Sequence, residues 1–133
     1  MNFADTGAFL SLFHGNDQHH RDAVRLWPLV ESPVFTSNLV IAELAKLLSH
    51  GMGYNLEIAC IADIYDSSRF RILSSTRADE LAALEWMRKF ADQDVSFIDC
   101  VSFALMRRHR IRMAFTFDRH FLLAGFEIFT PRK

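Results

Sequence analysis

Four carboxylates in this 133-residue chain stand where a carboxylate can do chemistry. Asp5 directly follows the short apolar run Phe3-Ala4, and Asp118 directly follows Ala114-Phe115-Thr116-Phe117. Asp99 opens a helical stretch three residues after Ser96, and Glu43 lies near the start of a strongly apolar helical segment. Brought into one pocket, such groups repel: a pair about 5 Å apart at an effective dielectric of ~20 costs about 3 kcal/mol. A cluster of that kind needs protons or a cation. Oxygen-only ligands select a hard ion, which favours Mg²⁺ or Mn²⁺ over zinc. A carboxylate-held divalent cation suits phosphodiester hydrolysis, because it lowers the pKa of a water and neutralises charge growing on the phosphoryl oxygens. One ion or two would serve.

Each acid also has a structural task open to it. Asp is a favoured helix N-cap worth about 1 kcal/mol, which suits Asp5 and Asp118. Ser96-Phe97-Ile98-Asp99 fits the capping-box pattern, in which the acid only secures the start of a helix. Glu43, Lys46 and His50 form the single polar stripe of their segment, so Glu43 also fits an exposed pair with Lys46.

The elements decide between these tasks. Short apolar runs at Phe3-Ala4, Val34–Thr36, Phe70–Leu73, Ala114–Phe117 and Phe126–Phe129 read as five strands. Between them lie helical patterns: a charged one over 17–31 with Pro28 as a kink or end, a nearly all-apolar one over 38–50 closed by Gly51, then 54–67, 77–91 and 98–109. Alternation of this kind predicts an α/β fold with a parallel sheet covered on both faces. Ligand sites of such sheets lie at the carboxyl ends of the strands, where the strand order reverses. If the first and fourth strands are neighbours there, Asp5, Asp118 and the start of the Asp99 helix converge, with Glu43 on the helix after the second strand.

Composition narrows the class. Half the residues are hydrophobic and thirteen are Phe, enough for a sizeable core in one domain spanning residues 1–133. Fifteen Lys and Arg against sixteen Asp and Glu leave a net charge of −1, which excludes a uniformly basic coat. The charge is uneven. Residues 1–66 carry three basic and eight acidic groups, net −5, whereas residues 67–133 carry twelve and eight, net +4. Cys60 and Cys100 each sit in an apolar stretch and offer neither a disulfide framework nor a zinc site. With no signal-like start and no membrane-length apolar run, a cytoplasmic protein is expected.

The segments around the acids are familiar as a set. Ala4-Asp5-Thr6-Gly7-Ala8-Phe9-Leu10, Thr36-Ser37-Asn38-Leu39-Val40-Ile41-Ala42-Glu43-Leu44, Ser96-Phe97-Ile98-Asp99-Cys100 and Thr116-Phe117-Asp118-Arg119-His120-Phe121 together resemble the four motifs of PIN domains, in order along nearly the whole chain. The likeness is to the small VapC-type ribonuclease toxins of toxin–antitoxin pairs. It implies a three-layer α/β/α fold with a five-stranded parallel sheet and an Mg²⁺- or Mn²⁺-dependent endoribonuclease inhibited by a small antitoxin. By matching position, Asp5 and Asp99 are implied as direct metal ligands, Glu43 and Asp118 as supporting acids, and Thr116 and Thr6 as orienting hydroxyls. The chain departs from the pattern at Asp94, where these toxins often carry proline, and in its short first strand.

Outside the acids, Arg107, Arg108, Arg110 and Arg112 form the densest basic run, suited either to the dipole at the end of their helix or to RNA phosphates. Arg119 and His120, beside Asp118, are the better placed for the scissile region. His14, His19 and His20 read as surface residues, and the Trp and Phe residues as core. The apolar helices over 38–66 exceed what a small core hides, which suggests a homodimer face or a groove for a partner's helix. Two other readings remain open: a non-catalytic PIN-like binding module, and a solitary RNA-processing nuclease without an antitoxin. An aspartyl-phosphate phosphatase is disfavoured, because Gly7 stands where such enzymes need a second Asp.

Overall fold

A computed structural model describes residues 1–129. Strand β1 (Asn2–Ala4) leads into α1 (Thr6–Phe13) and α2 (His20–Leu26), then β2 (Val34–Ser37), α3 (Asn38–Met52) and α4 (Tyr54–Asp66). Next come β3 (Phe70–Leu73), α5 (Arg77–Lys89), α6 (Phe97–Arg108), β4 (Met113–Phe115), α7 (His120–Leu123) and β5 (Glu127–Ile128). All strand pairings are parallel, in the order β3-β2-β1-β4-β5. The chain therefore winds outward from β1 in one direction to β3, then returns through β4 to β5. Right-handed crossovers put the helices of those two journeys on opposite faces. The packing agrees, since α1 meets α2 and α3, α3 meets α4, and α5 meets α6. This is the expected α/β/α arrangement, with its switch point between β1 and β4.

The core explains why such short strands hold. Phe3, Phe9, Phe103, Phe115 and Phe121 are fully buried, together with Leu44, Leu48, Ile64, Leu105 and Met106. Phe103 meets Phe121 edge-on at 5.0 Å, joining α6 to α7. α6 is the central helix of its layer, with seven consecutive buried residues from Cys100 to Met106. It is locked to α5 by a bidentate pair, in which Arg108 Nε and Nη2 each donate to buried Asp79 at 2.9 Å. Asp79 also completes the capping box with Thr76 at the start of α5. Asp79→Ala is expected to lower stability by at least about 1 kcal/mol from the lost cap. Urea denaturation checks this, and an unchanged midpoint would refute the assigned task.

Several local expectations are corrected. The charged segment is helical only over His20–Leu26 and ends in a tight turn, Trp27–Leu29, because Pro28 cannot continue the helical hydrogen bonding. α3 runs past Gly51 to Met52 and stops at Gly53, whose φ of 88° is the conformation that needs glycine. It is also less buried than its composition suggested, with Leu47 41% exposed. β4 ends at Phe115 rather than Phe117, which leaves Thr116 free to act as a side chain at the strand end.

Candidate active site

Strand register brings the first pair together. β1 pairs with β4 through Ala4 opposite Phe115, so the next residues, Asp5 and Thr116, face one another as the strands end. The Thr116 hydroxyl donates to Asp5 Oδ2 at 2.6 Å and accepts from the Asp118 amide at 3.0 Å. Asp5 Oδ1 accepts from the Ala8 amide at 2.8 Å and so caps α1. Capping and a place in the pocket are compatible here, because each carboxylate oxygen has a second lone pair. On the other side of β1, the Thr36 hydroxyl donates to the Ala4 carbonyl at 2.9 Å, tying β2 to the same strand end.

The capping box foreseen at Ser96 is only half made. Ser96 Oγ accepts from the Asp99 amide at 3.1 Å, but the reciprocal bond from the Ser96 amide to the Asp99 carboxylate is not among the described hydrogen bonds. The Asp99 carboxylate faces the cavity instead. Asp118 Oδ1 accepts from the His120 amide at 2.8 Å and lies 3.2 Å from His120 Nδ1.

All four acids line one cavity of about 410 Å³, together with Thr6 and Ser96. Asp5 is 4% exposed. Burial, then the charges of Asp118 and Glu43, raise its carboxyl from 3.8 to about 6, against the lowering effect of its hydrogen bonds from Thr116 and Ala8. Asp99 rises to about 7, first through burial and then through the charges of Asp5 and Asp118. These are groups short of positive charge. Oxygen donors crowded until two carboxyls are raised toward neutrality fit a hard divalent cation. Asp99 and Asp118, together with His120 beside the cavity, offer ligand atoms all within 4.8 Å of one another.

Other site residues fall differently from their sequence expectations. His120 joins the acids rather than standing beside them, and Arg119 is exposed next to Asp118. Arg108, read from sequence as an RNA contact, is taken up by Asp79, so its guanidinium fork already has a structural partner. Arg107 lies over Trp86 and Phe126 at the far end of α6, about 12 Å along the axis from Asp99. Sequence alone makes His19 a surface residue, yet its ring stacks on Phe117 at 4.6 Å with the planes 2° apart, and both line the acidic cavity. Ser11, Asp17 and Gln18 line it as well; Asp17 is held by Ser11 Oγ at 2.8 Å and by the His19 amide at 2.9 Å. No periodicity marks this loop, because it reaches the cavity by folding back over the end of α1. Cys60 and Cys100 are buried and free, as expected.

Among the described residues no helix is long and apolar enough to cross a membrane. Residues 3–127 match the PIN domain. The chain is 36% identical over 126 residues to the 23S rRNA-specific endonuclease VapC20 of Mycobacterium tuberculosis, covering 95% of each sequence. It superposes on the crystal structure of that sarcin–ricin loop cleaving toxin with a TM-score of 0.88 at 35% identity, over 95% of this chain and 96% of the other. A toxin–antitoxin complex from Klebsiella pneumoniae shares the fold at a TM-score of 0.71 and 14% identity, covering 100% of this chain and 99% of the matched one. The four acids around one cavity, the β3-β2-β1-β4-β5 sheet and these likenesses lead to one conclusion: the chain belongs to the PIN-domain family.

Proposed function

We propose that the protein is an endoribonuclease dependent on Mg²⁺ or Mn²⁺, acting as the toxin of a toxin–antitoxin pair in the cytoplasm. The observation that carries this reading is the meeting of Asp5, Glu43, Asp99 and Asp118, distant in sequence, around one cavity with two carboxyls raised toward neutrality. Asp5 and Asp99 are the metal ligands, with Glu43 and Asp118 in support and His120 within reach. A bound divalent cation would supply an acidified water and neutralise phosphoryl charge. The chain's own residues do the positioning. Thr116 fixes the Asp5 carboxylate and the Asp118 backbone at once, Thr6 lies beside Asp5 in the cavity wall, and Arg119 offers a phosphate contact at the rim.

Likeness to VapC20 makes the sarcin–ricin loop of 23S rRNA the first substrate to test. Purified protein incubated with 23S rRNA and Mn²⁺ is expected to cut within that loop, and EDTA is expected to stop it. Cleavage that persists in EDTA would refute the metal mechanism. Absence of cleavage with every metal and RNA would favour the non-catalytic binding module. Cleavage without growth arrest on expression would favour the solitary processing nuclease.

Partner binding is assigned to the face of α4 that carries Tyr54, Ile58 and Tyr65, all exposed. A small antitoxin and a second copy of the chain both suit such a face.

Thr116→Val provides a sharper test of positioning. Loss of one hydroxyl that serves both acids is expected to lower kcat roughly 10- to 100-fold, the range typical of groups that orient metal ligands. Thr116→Ser, which keeps the hydroxyl, is expected to recover most of the rate. Equal loss in both variants would remove the hydroxyl from the mechanism.

A further inference from the structure

The cavity that would take the scissile phosphate is itself acidic, so an RNA chain must be held by cations elsewhere. Arg107, Arg110 and Arg112 line a hollow of about 370 Å³ with Phe126 and Glu127, at the end of α6 opposite Asp99. Arg107 also lines a neighbouring hollow of about 410 Å³ with Trp86, Lys89 and Glu85. Glu85 is already paired with Arg88. Among the described residues Lys89, Arg107, Arg110 and Arg112 have no carboxylate partner within ion-pair distance, in contrast to Arg108. Aromatic rings floor the two hollows. Arg107 lies over Trp86 at 5.4 Å and over Phe126 at 5.5 Å, and Lys89 lies over Trp86 at 5.3 Å.

Backbone geometry adds an independent observation. α6 closes with the Ile111 amide bonded to the Met106 carbonyl at 2.8 Å and the Arg110 amide bonded to the Arg107 carbonyl at 3.2 Å. That pattern is a Schellman motif, and its left-handed position is normally glycine. Here it is Arg110, at φ 58°. An arginine held in a conformation that glycine adopts more easily sits at a position of conformational cost, lining a hollow with Arg107, whose guanidinium also donates to the Ala124 carbonyl at 3.4 Å, and Arg112.

We propose that these two hollows form a second RNA-binding site, which holds a single strand through phosphate contacts from Lys89, Arg107, Arg110 and Arg112. Cations spaced over aromatic rings suit single-stranded nucleic acid, whose bases stack on aromatic faces and guanidinium planes while phosphates meet the charges. Arg119, next to Asp118, lines a separate hollow with Gln93 and His120. This inference rests on RNA being the substrate.

Fluorescence anisotropy of a labelled single-stranded RNA, measured in EDTA so that nothing is cut, tests it apart from catalysis. Arg110→Gly combined with Arg112→Gln is expected to weaken binding tenfold or more. The slope of log affinity against log salt is expected to fall by about 1.4, or ~0.7 for each lost phosphate contact. Because glycine suits position 110, the single Arg110→Gly variant is expected to melt no lower than the parent, which separates lost binding from lost folding. Arg25→Gln, which removes one exposed charge from α2, is the control for net charge and is expected to leave the slope alone. An unchanged slope in the double variant would overturn the site even if the protein cuts RNA. A reduced slope in a protein that cuts nothing would retain the site and reject the nuclease reading.

Discussion

Asp99→Asn is expected to reduce RNA cleavage by about three orders of magnitude or more and, without metal, to raise the melting temperature at about pH 7.5. Both effects have one origin. Partial burial and the charges of Asp5 and Asp118 push the half-buried Asp99 carboxyl up to about 7, so the metal-free fold tolerates that third charge poorly. A neutral amide of the same shape removes the repulsion and the ligand together. Relief on the order of 1–2 kcal/mol corresponds to a few degrees in a domain of this size. Asp92→Asn, at an exposed acid in the loop before α6, is the matched control and is expected to change neither quantity. A metal-free Asp99→Asn protein that melts lower than the parent would mean that Asp99 serves the fold as a cap, and that the cavity is not under electrostatic strain.

Asp99 also marks what a sequence can and cannot specify. Its spacing from Ser96 fits a helix cap, and the same spacing fits a ligand at a helix start. Only the path of the carboxylate in three dimensions, away from the Ser96 amide and into the cavity, separates the two. Asp5 resolves the same ambiguity by doing both tasks with its two oxygens. The sheet was legible because each strand is an apolar run bounded by polar or glycine-containing turns, and because a parallel α/β order leaves few topologies. The sequence carries the end of β4 two residues too far, since the apolar run continues through Phe117 after the hydrogen-bonded ladder has ended. Contacts set by loops were not legible. His19 reaches Phe117 by a chain reversal that no periodicity announces. Arg108 and Asp79 are brought together by the packing of α5 against α6, so a basic run that looked uniform divides into a structural member and free ones.

Metal affinity is expected to climb by about a thousandfold between pH 5 and pH 8, because two carboxyls titrating near 6 and 7 must lose their protons for the ion to bind. The sign follows from linkage. In the metal-free protein both groups are raised above their unfolded value of 3.8, so between that value and neutrality the folded state holds more protons than the unfolded one. Stability of the metal-free protein therefore falls as pH rises from about 4 to about 7, by roughly 2–4 kcal/mol for the pair. Bound cation reverses the trend, since it stabilises the ionised pair that protons would otherwise neutralise. The stabilisation by Mn²⁺ is thus expected to be small at pH 5 and large at pH 8. Calorimetric melting with and without Mn²⁺ across that range measures both curves. The two are expected to converge in acid and separate steadily above pH 6. A metal-induced shift that is equally large at pH 5 would mean that the ion binds without displacing protons from Asp5 and Asp99, and hence somewhere else.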